Sequence, residues 1–294
     1  MSFPIAQLLA NSLIIGSIYA LVAVGFSLIY STNRFVHLAH GATVVAAGYA
    51  LYSTFTLLHL PFILACILTI ALSSVIGFLM FKAIYEPLQK RKSSTVIMLI
   101  ASIGLLTLIE NLILLFFGAD VKTIGLLEVR QGINIAGAII TPLQIVLVLT
   151  SLTLLTVFYL FMKKTTLGRN LRAVADHKEL ASIMGLNPTR LMAISFIIGS
   201  ALAGIAGILI ALEQNLDPSM GTDLMIKGFS GAIVGGIYSV PGSILGSYLV
   251  GTAENVGTWF LPSGYKNAIT FTLLFLFLLL RPKGIFGVDK GVRE

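Results

Sequence analysis

The sequence predicts an all-α polytopic membrane protein of about eight to nine transmembrane or re-entrant helices. Three observations carry that fold class. Of the 294 residues, 57% are hydrophobic and 11% charged, where a soluble globular chain carries about 25% charge. Apolar runs long enough to span a bilayer recur along the whole chain. The basic residues fall between those runs rather than along one helix face, so the net charge of +7 fits membrane loops and excludes a nucleic-acid binder.

A bilayer-crossing helix needs about 20 mostly apolar residues. Ile5–Tyr30 is too long for the apolar core of a signal peptide and is read as a retained span. Phe35–Leu58 carries His37 and His40, and Pro61–Phe81 follows without charge. Thr95–Phe117 carries Glu110, while Leu143–Met162 and Leu191–Leu212 carry no charge. Leu224–Val240 holds Lys227, is short and glycine-rich, and reads as a broken or re-entrant helix. Gly242–Phe260 holds Glu254, and Tyr265–Arg281 closes the series of nine candidate segments.

The loops then set orientation. One side collects Arg34, Lys82, Lys90, Arg91, Lys92, Lys163, Lys164, Arg169, Arg172, Lys178, Arg190, Arg281, Lys283, Lys290 and Arg293. The other collects Lys122, Arg130 and Lys266. The basic side is cytoplasmic by the positive-inside bias. Nine crossings put the N-terminus outside and the C-terminus inside. Residues 1–294 form a single transmembrane domain with a cytoplasmic loop at 163–190.

Gly16, Ala20 and Ala23 align with Gly199, Ala203 and Ala206 at a constant offset, and an irregular glycine-containing segment follows in each half. The first span runs inward and the sixth outward, which is the arrangement of inverted repeats. Plain small-residue helix packing gives the same pattern.

No GxSxG, HExxH or Walker A sequence is present, so the chain is read as a non-enzyme. His37 and His40 have helical spacing but no neighbouring carboxylate or thiol, so backbone hydrogen bonding at the break before the second span is preferred to a metal site. Glu254-Asn255 and Glu110-Asn111 lie inside apolar runs. A carboxylate there marks a pathway or satisfies a helix-packing hydrogen bond. Glu254 stays open between the two, and Glu110 leans toward packing. Gly231, Gly235 and Gly236 either flank a translocation path or let helices approach closely. A path lined mostly by aliphatic residues and glycine would have few fixed charges to hold a solute.

Lys163–Arg190, KKTTLGRNLRAVADHKELASIMGLNPTR, is too polar to cross a membrane. Leu171, Val174, Ala175, Leu180, Ile183 and Met184 make short apolar stripes. Gly185 ends one short helix, and Asn187-Pro188 turns the chain into the next span. Interleaved acids and bases favour docking to a soluble partner over lying flat on lipid.

Here the chain resembles a known family. Glu179 to Gly185 is similar to the E-A-A-type coupling motif of bacterial ABC importer permeases, with Leu180 at its middle Ala. The stretches GSIYALVAVGFSLIYSTNRFVHLAHG, TTLGRNLRAVADHKELASIMGLNPTRL, AIVGGIYSVPGSILGSYLVGTAENVG and RPKGIFG resemble the branched-chain amino acid permeases of that class, in the shorter LivH-type form. His37-Leu38 stands where the family has Asn-Phe, and Ile237-Tyr238-Ser239 interrupts its glycine-rich turn.

The resemblance implies a coupling surface of Gly168, Arg172, Glu179, Ala181 and Gly185. The candidate path residues are His40, Gly41, Gly231, Gly235, Gly236, Glu254 and Asn255. The implied partners are a second permease of LivM type, two ATP-binding subunits and an extracytoplasmic substrate-binding protein, in a bacterial or archaeal cytoplasmic membrane. ATP is used by the partners, and no cofactor is bound by this chain. Urea and short-amide permeases share the scaffold and are the alternative, followed by an autonomous secondary transporter.

Overall fold

A computed structural model describes residues 5–125, 132–135 and 137–287. Arg130, Lys290 and Arg293 lie outside the described residues. The helices are α1 (Ile5–Asn33), α2 (His40–Leu51, continued by π turns over Tyr52–Leu57), α3 (Phe62–Met80, then π turns over Phe81–Tyr85), α4 (Glu86–Lys90) and α5 (Thr95–Phe117). A two-stranded antiparallel hairpin, β1 (Ile133–Ile135) and β2 (Ala138–Ile140), precedes α6 (Pro142–Lys164). The chain continues through α7 (Thr166–Asp176), α8 (Lys178–Ile183), α9 (Pro188–Glu213), α10 (Met220–Gly235), α11 (Val240–Phe260) and α12 (Lys266–Leu280).

Each of the nine apolar segments expected from sequence folds as helix. Among the described residues, six helices are long and apolar enough to cross a membrane: Ile5–Asn33, Phe62–Lys90, Thr95–Phe117, Pro142–Lys164, Pro188–Glu213 and Ser263–Leu280. The chain is a multi-pass membrane protein. α10 has 16 residues and is about 24 Å long at 1.5 Å per residue, short of a bilayer core of about 30 Å.

Apolar side chains fill the core and also cover the outer surface. α1 is buried nearly all round by α9, α10 and α11. The outer helices α3, α5, α6 and α12 expose Ile63, Leu115, Val146 and Leu280. Lipid is as apolar as these side chains, so helix association relies on close packing and interhelical hydrogen bonds. Gly77 on α3 faces Ser200 and Phe196 on α9, and Gly16 on α1 faces Tyr248 on α11 and packs against Gly251. The Thr32 hydroxyl donates to the Ser195 Oγ at 2.8 Å, joining α1 to α9. Helix starts are capped by side chains. Thr141 forms a reciprocal box with Gln144 at the head of α6, and Ser94, Thr165, Asn187 and Ser239 accept from backbone N–H groups. Loss of one such cap costs about 0.5–2 kcal/mol.

The two halves follow one plan in opposite senses: a long helix, a break, then a short helix that starts inside the protein. The α1–α2 break returns into the bundle, because Gly25 of α1 lies against the His40 ring. Gly25 is eight residues, or about 12 Å, before the end of α1. The matching break at 214–219 leads into α10, whose Gly221 packs on Gly41 and Val45 of α2. At the α1–α2 break Phe35, His37 and Ala39 are buried, and irregular backbone is tolerated where protein surrounds it; Gln214, Asn215 and Ser219 of the second break are exposed. The constant-offset alignment of Gly16 with Gly199 does not carry over to their contacts. Gly199 meets Gly25 and Ile29 on α1, while the α9 residues that face α3 as Gly16 faces α11 are Ser200 and Gly204.

The basic loops share one end of the bundle. Gln89 donates to Asn33 at 3.4 Å, Arg34 reaches Ala175 and Tyr238, and Lys82 and Lys90 pair with Glu86 at 2.7 and 2.8 Å. At the other end, Gln7 and Ile139 exchange hydrogen bonds of 3.2 and 2.8 Å. There the backbones of Lys122 and Leu216 also pair.

Candidate translocation and coupling sites

The 163–190 loop folds as two short helices. Thr165 caps α7 and the His177 imidazole accepts from Leu180 N–H to cap α8. The expected apolar stripe divides in two. Leu171, Val174, Ala175 and Ala181 are buried and hold the loop to the bundle, whereas Leu180, Ile183 and Met184 are 54%, 82% and 81% exposed at its tip. Gly168 is buried against the carbonyls of Phe161 and Met162, leaving no room for a Cβ. Arg172 donates weakly to the Lys163 carbonyl at 3.4 Å. Glu179 is exposed beside the tip. Gly185 has φ +83° with open space around it, so it is the left-handed backbone that asks for glycine.

The histidines sit at the α1–α2 break, but side chains rather than backbone hold His37. Its Nδ1 is 2.9 Å from the Tyr85 hydroxyl and 3.4 Å from Ser102 Oγ, and Ser102 also accepts from Ala39 N–H. His40 is fully buried, close to the Val22 carbonyl, and makes no hydrogen bond of good geometry. Gly41 touches Gly221 and Met225.

Glu254 is buried on α11. Its two oxygens accept from the Tyr19 hydroxyl at 2.8 Å and from Thr270 Oγ1 at 2.5 Å. The Lys227 ammonium lies 3.8 Å from it and 5.5 Å from the Tyr19 ring centre. Asn255 turns its amide to the Gly251 carbonyl at 2.9 Å. Glu254, Asn255, Lys227 and Asp223 line one cavity of about 220 Å³. This cavity carries fixed charges, unlike the path with few charges expected from composition. Lys227 and Asp223 were missed as site residues. Their signal in the sequence was two charges four apart in an otherwise apolar, glycine-rich segment.

Gly231 packs on Ser247, and Gly235 on Gly242. Gly236, with φ +111°, ends α10 against the chain that follows α12. There Ile285 and Phe286 donate to the carbonyls of Val234 and Gly235 at 3.0 and 2.9 Å. The RPKGIFG stretch thereby satisfies carbonyls that a helix end leaves open. None of these three glycines lines the Glu254 cavity. Glu110 accepts from Thr222 Oγ1 at 2.9 Å on the exposed side of α10.

Comparison with known proteins finds relatives over nearly the whole chain. The chain is 32% identical over 294 residues to the high-affinity branched-chain amino acid transport system permease protein BraD of Pseudomonas aeruginosa, covering 96% of this chain and 95% of that one. It is 30% identical over 295 residues to LivH of Escherichia coli K12, with the same coverage. It is 27% identical over 293 residues to a probable LivH of Methanocaldococcus jannaschii, covering 96% and 93%. A solved structure of PsaBC from Streptococcus pneumoniae in complex with Fab superposes with a TM-score of 0.53 at 15% identity, over 97% of this chain and 95% of that one, a likeness of fold. The family model described as branched-chain amino acid transport system / permease component matches residues 8–279, and the chain belongs to that family.

Proposed function

We propose that this chain is the membrane permease of an ATP-driven, binding-protein-dependent importer of branched-chain amino acids. The observation that carries the coupling half of this reading is the tip of α8. Leu180, Ile183 and Met184 form an apolar surface at the polar end of the molecule, on a loop that Ala181 and Leu171 hold to the bundle. Exposed apolar surface of that kind marks a partner site. Gly185 and Glu179 flank it, and an ATP-binding subunit is the partner whose movement the loop would pass to the bundle. Relatives named as branched-chain amino acid permeases support the substrate.

The basic end faces the cytoplasm, with the N-terminus outside and the C-terminus inside. A second permease of LivM type, two ATP-binding subunits and an external binding protein complete the assembly. ATP is hydrolysed on the partners. The test is co-purification from membranes: the native chain retains the ATP-binding subunits, and Ile183→Glu with Met184→Glu releases them while the chain still inserts. Retention unchanged by both charges would remove the docking role.

A further inference from the structure

The cavity beside Glu254 is lined by charged side chains, whereas most of the protein interior is apolar. Ile15, Ile210, Met220 and Leu224 form an apolar wall, and Lys227 and Asp223 stand on one side of it. Lys227 lies 3.8 Å from Glu254, beyond the 2.7–2.9 Å of a charge-assisted hydrogen bond, roughly. Both Glu254 oxygens are already taken by Tyr19 and Thr270. Among the described residues the Lys227 ammonium makes no hydrogen bond, and its side chain is 13% exposed. Asp223 is one turn earlier on the same face of α10 and accepts from Asn267 at 2.9 Å. Among the ion pairs of the described residues, none joins Asp223 to Lys227.

Lys227 and Asp223 therefore stand apart on a single helix face beside an aliphatic wall, while Asp217, Lys266, Gln214 and Asn215 also line the cavity. An α-amino acid carries its carboxylate and ammonium on one carbon, with the side chain projecting away. We propose that the cavity is a binding station for a zwitterionic aliphatic α-amino acid. Lys227 receives the carboxylate, Asp223 receives the ammonium, and Ile15, Ile210, Met220 and Leu224 cover the side chain. Glu254 holds Lys227 in place, and is a positioning residue. The volume, about 220 Å³, is below the roughly 300–1,000 Å³ of drug-sized sites and suits a single small solute. The station rests on the transport reading and adds to it a substrate site inside the permease itself.

The test is retention of tritiated leucine by the whole complex in lipid nanodiscs, without ATP and without binding protein. Leucinamide, which lacks the carboxylate, and 4-methylpentanoate, which lacks the amine, serve as competitors. The native complex should retain leucine and prefer it to both analogues. Lys227→Met with Glu254→Gln, and Asp223→Asn, should each weaken retention about tenfold. The first should erase the preference over leucinamide, and the second the preference over 4-methylpentanoate. A purely structural role does not exchange analogue preferences in this way. Lys227→Arg, which keeps a cation beside Glu254, should restore retention.

No leucine retention by the native complex, or one analogue ranking in all variants, overturns the station. Failure of Lys227→Arg to restore retention overturns it as well. ATP-dependent uptake by the same native complex reports the transport reading separately. Uptake without retention removes the station alone, and retention without uptake removes the importer reading alone.

Discussion

The Arg34 guanidinium donates to the Tyr238 hydroxyl at 2.7 Å and lies 4.8 Å from that ring's centre. It also donates to the Ala175 carbonyl near the end of α7. One side chain thus ties the end of α1, the α10–α11 turn and the coupling loop together. Arg34 holds φ +62°, a left-handed conformation costing about 1–2 kcal/mol for a non-glycine residue.

Replacing Arg34 by glycine separates the two effects. Arg34→Gly relieves the backbone and removes the tie, so the protein should insert and assemble normally. Hydrogen bonds to charged groups contribute about 1.5–3 kcal/mol each, and coupled uptake should fall at least about tenfold while basal ATP hydrolysis persists. Tyr238→Phe, which keeps the ring face, should show a smaller loss. Uptake and hydrolysis measured together in vesicles check both, and native coupling in Arg34→Gly would refute the tie.

Gly185 provides a second test of the loop. Its φ of +83° leaves open space around a Cβ, so backbone conformation sets the tolerance inside this chain, and the partner surface sets the rest. Gly185→Leu should abolish uptake and substrate-stimulated hydrolysis without affecting insertion. Gly185→Asn, which accepts left-handed backbone, should retain more activity than Gly185→Ala.

The close approach of α10 and α11 makes a stability prediction. A Cβ at Gly235 would collide with the Gly242 carbonyl, whereas one at Gly104 meets nothing within 4 Å. Overpacking costs about 1–3 kcal/mol or more, so Gly235→Val should lower the melting temperature of the purified protein and block uptake. Gly104→Val should change the melting temperature little. Equal effects at the two positions would contradict the packing described.

Topology is open to labelling on a Cys66→Ser background. Cysteine at Lys92 or Lys178 should resist an impermeant maleimide added from outside, and cysteine at Asp120 should react. The reverse pattern would invert the proposed orientation.

Much of the architecture was legible because apolar length and loop charge are strong signals: the nine runs became helices, and Gly185, Asn187 and Pro188 ended and restarted them where expected. The hairpin at Ile133–Ile140 was not legible, since three-residue strands carry too little pattern against an all-helical background. Site detail was harder for a physical reason. Composition predicted a path with few charges, but contact decides which charges meet. Tyr19 and Glu254 are 235 residues apart in sequence, and no spacing rule joins them. The same holds for Arg34 and Tyr238, which look like an ordinary loop cation and an interruption of a glycine-rich turn.

The most direct measurement is uptake of labelled leucine by vesicles containing the assembled complex, with ATP inside and loaded binding protein outside. The account predicts accumulation that requires both ATP and the binding protein, with calorimetry on that protein showing leucine, isoleucine or valine binding. Accumulation without ATP or without the binding protein, or a partner that binds urea or amides and no aliphatic amino acid, would contradict it.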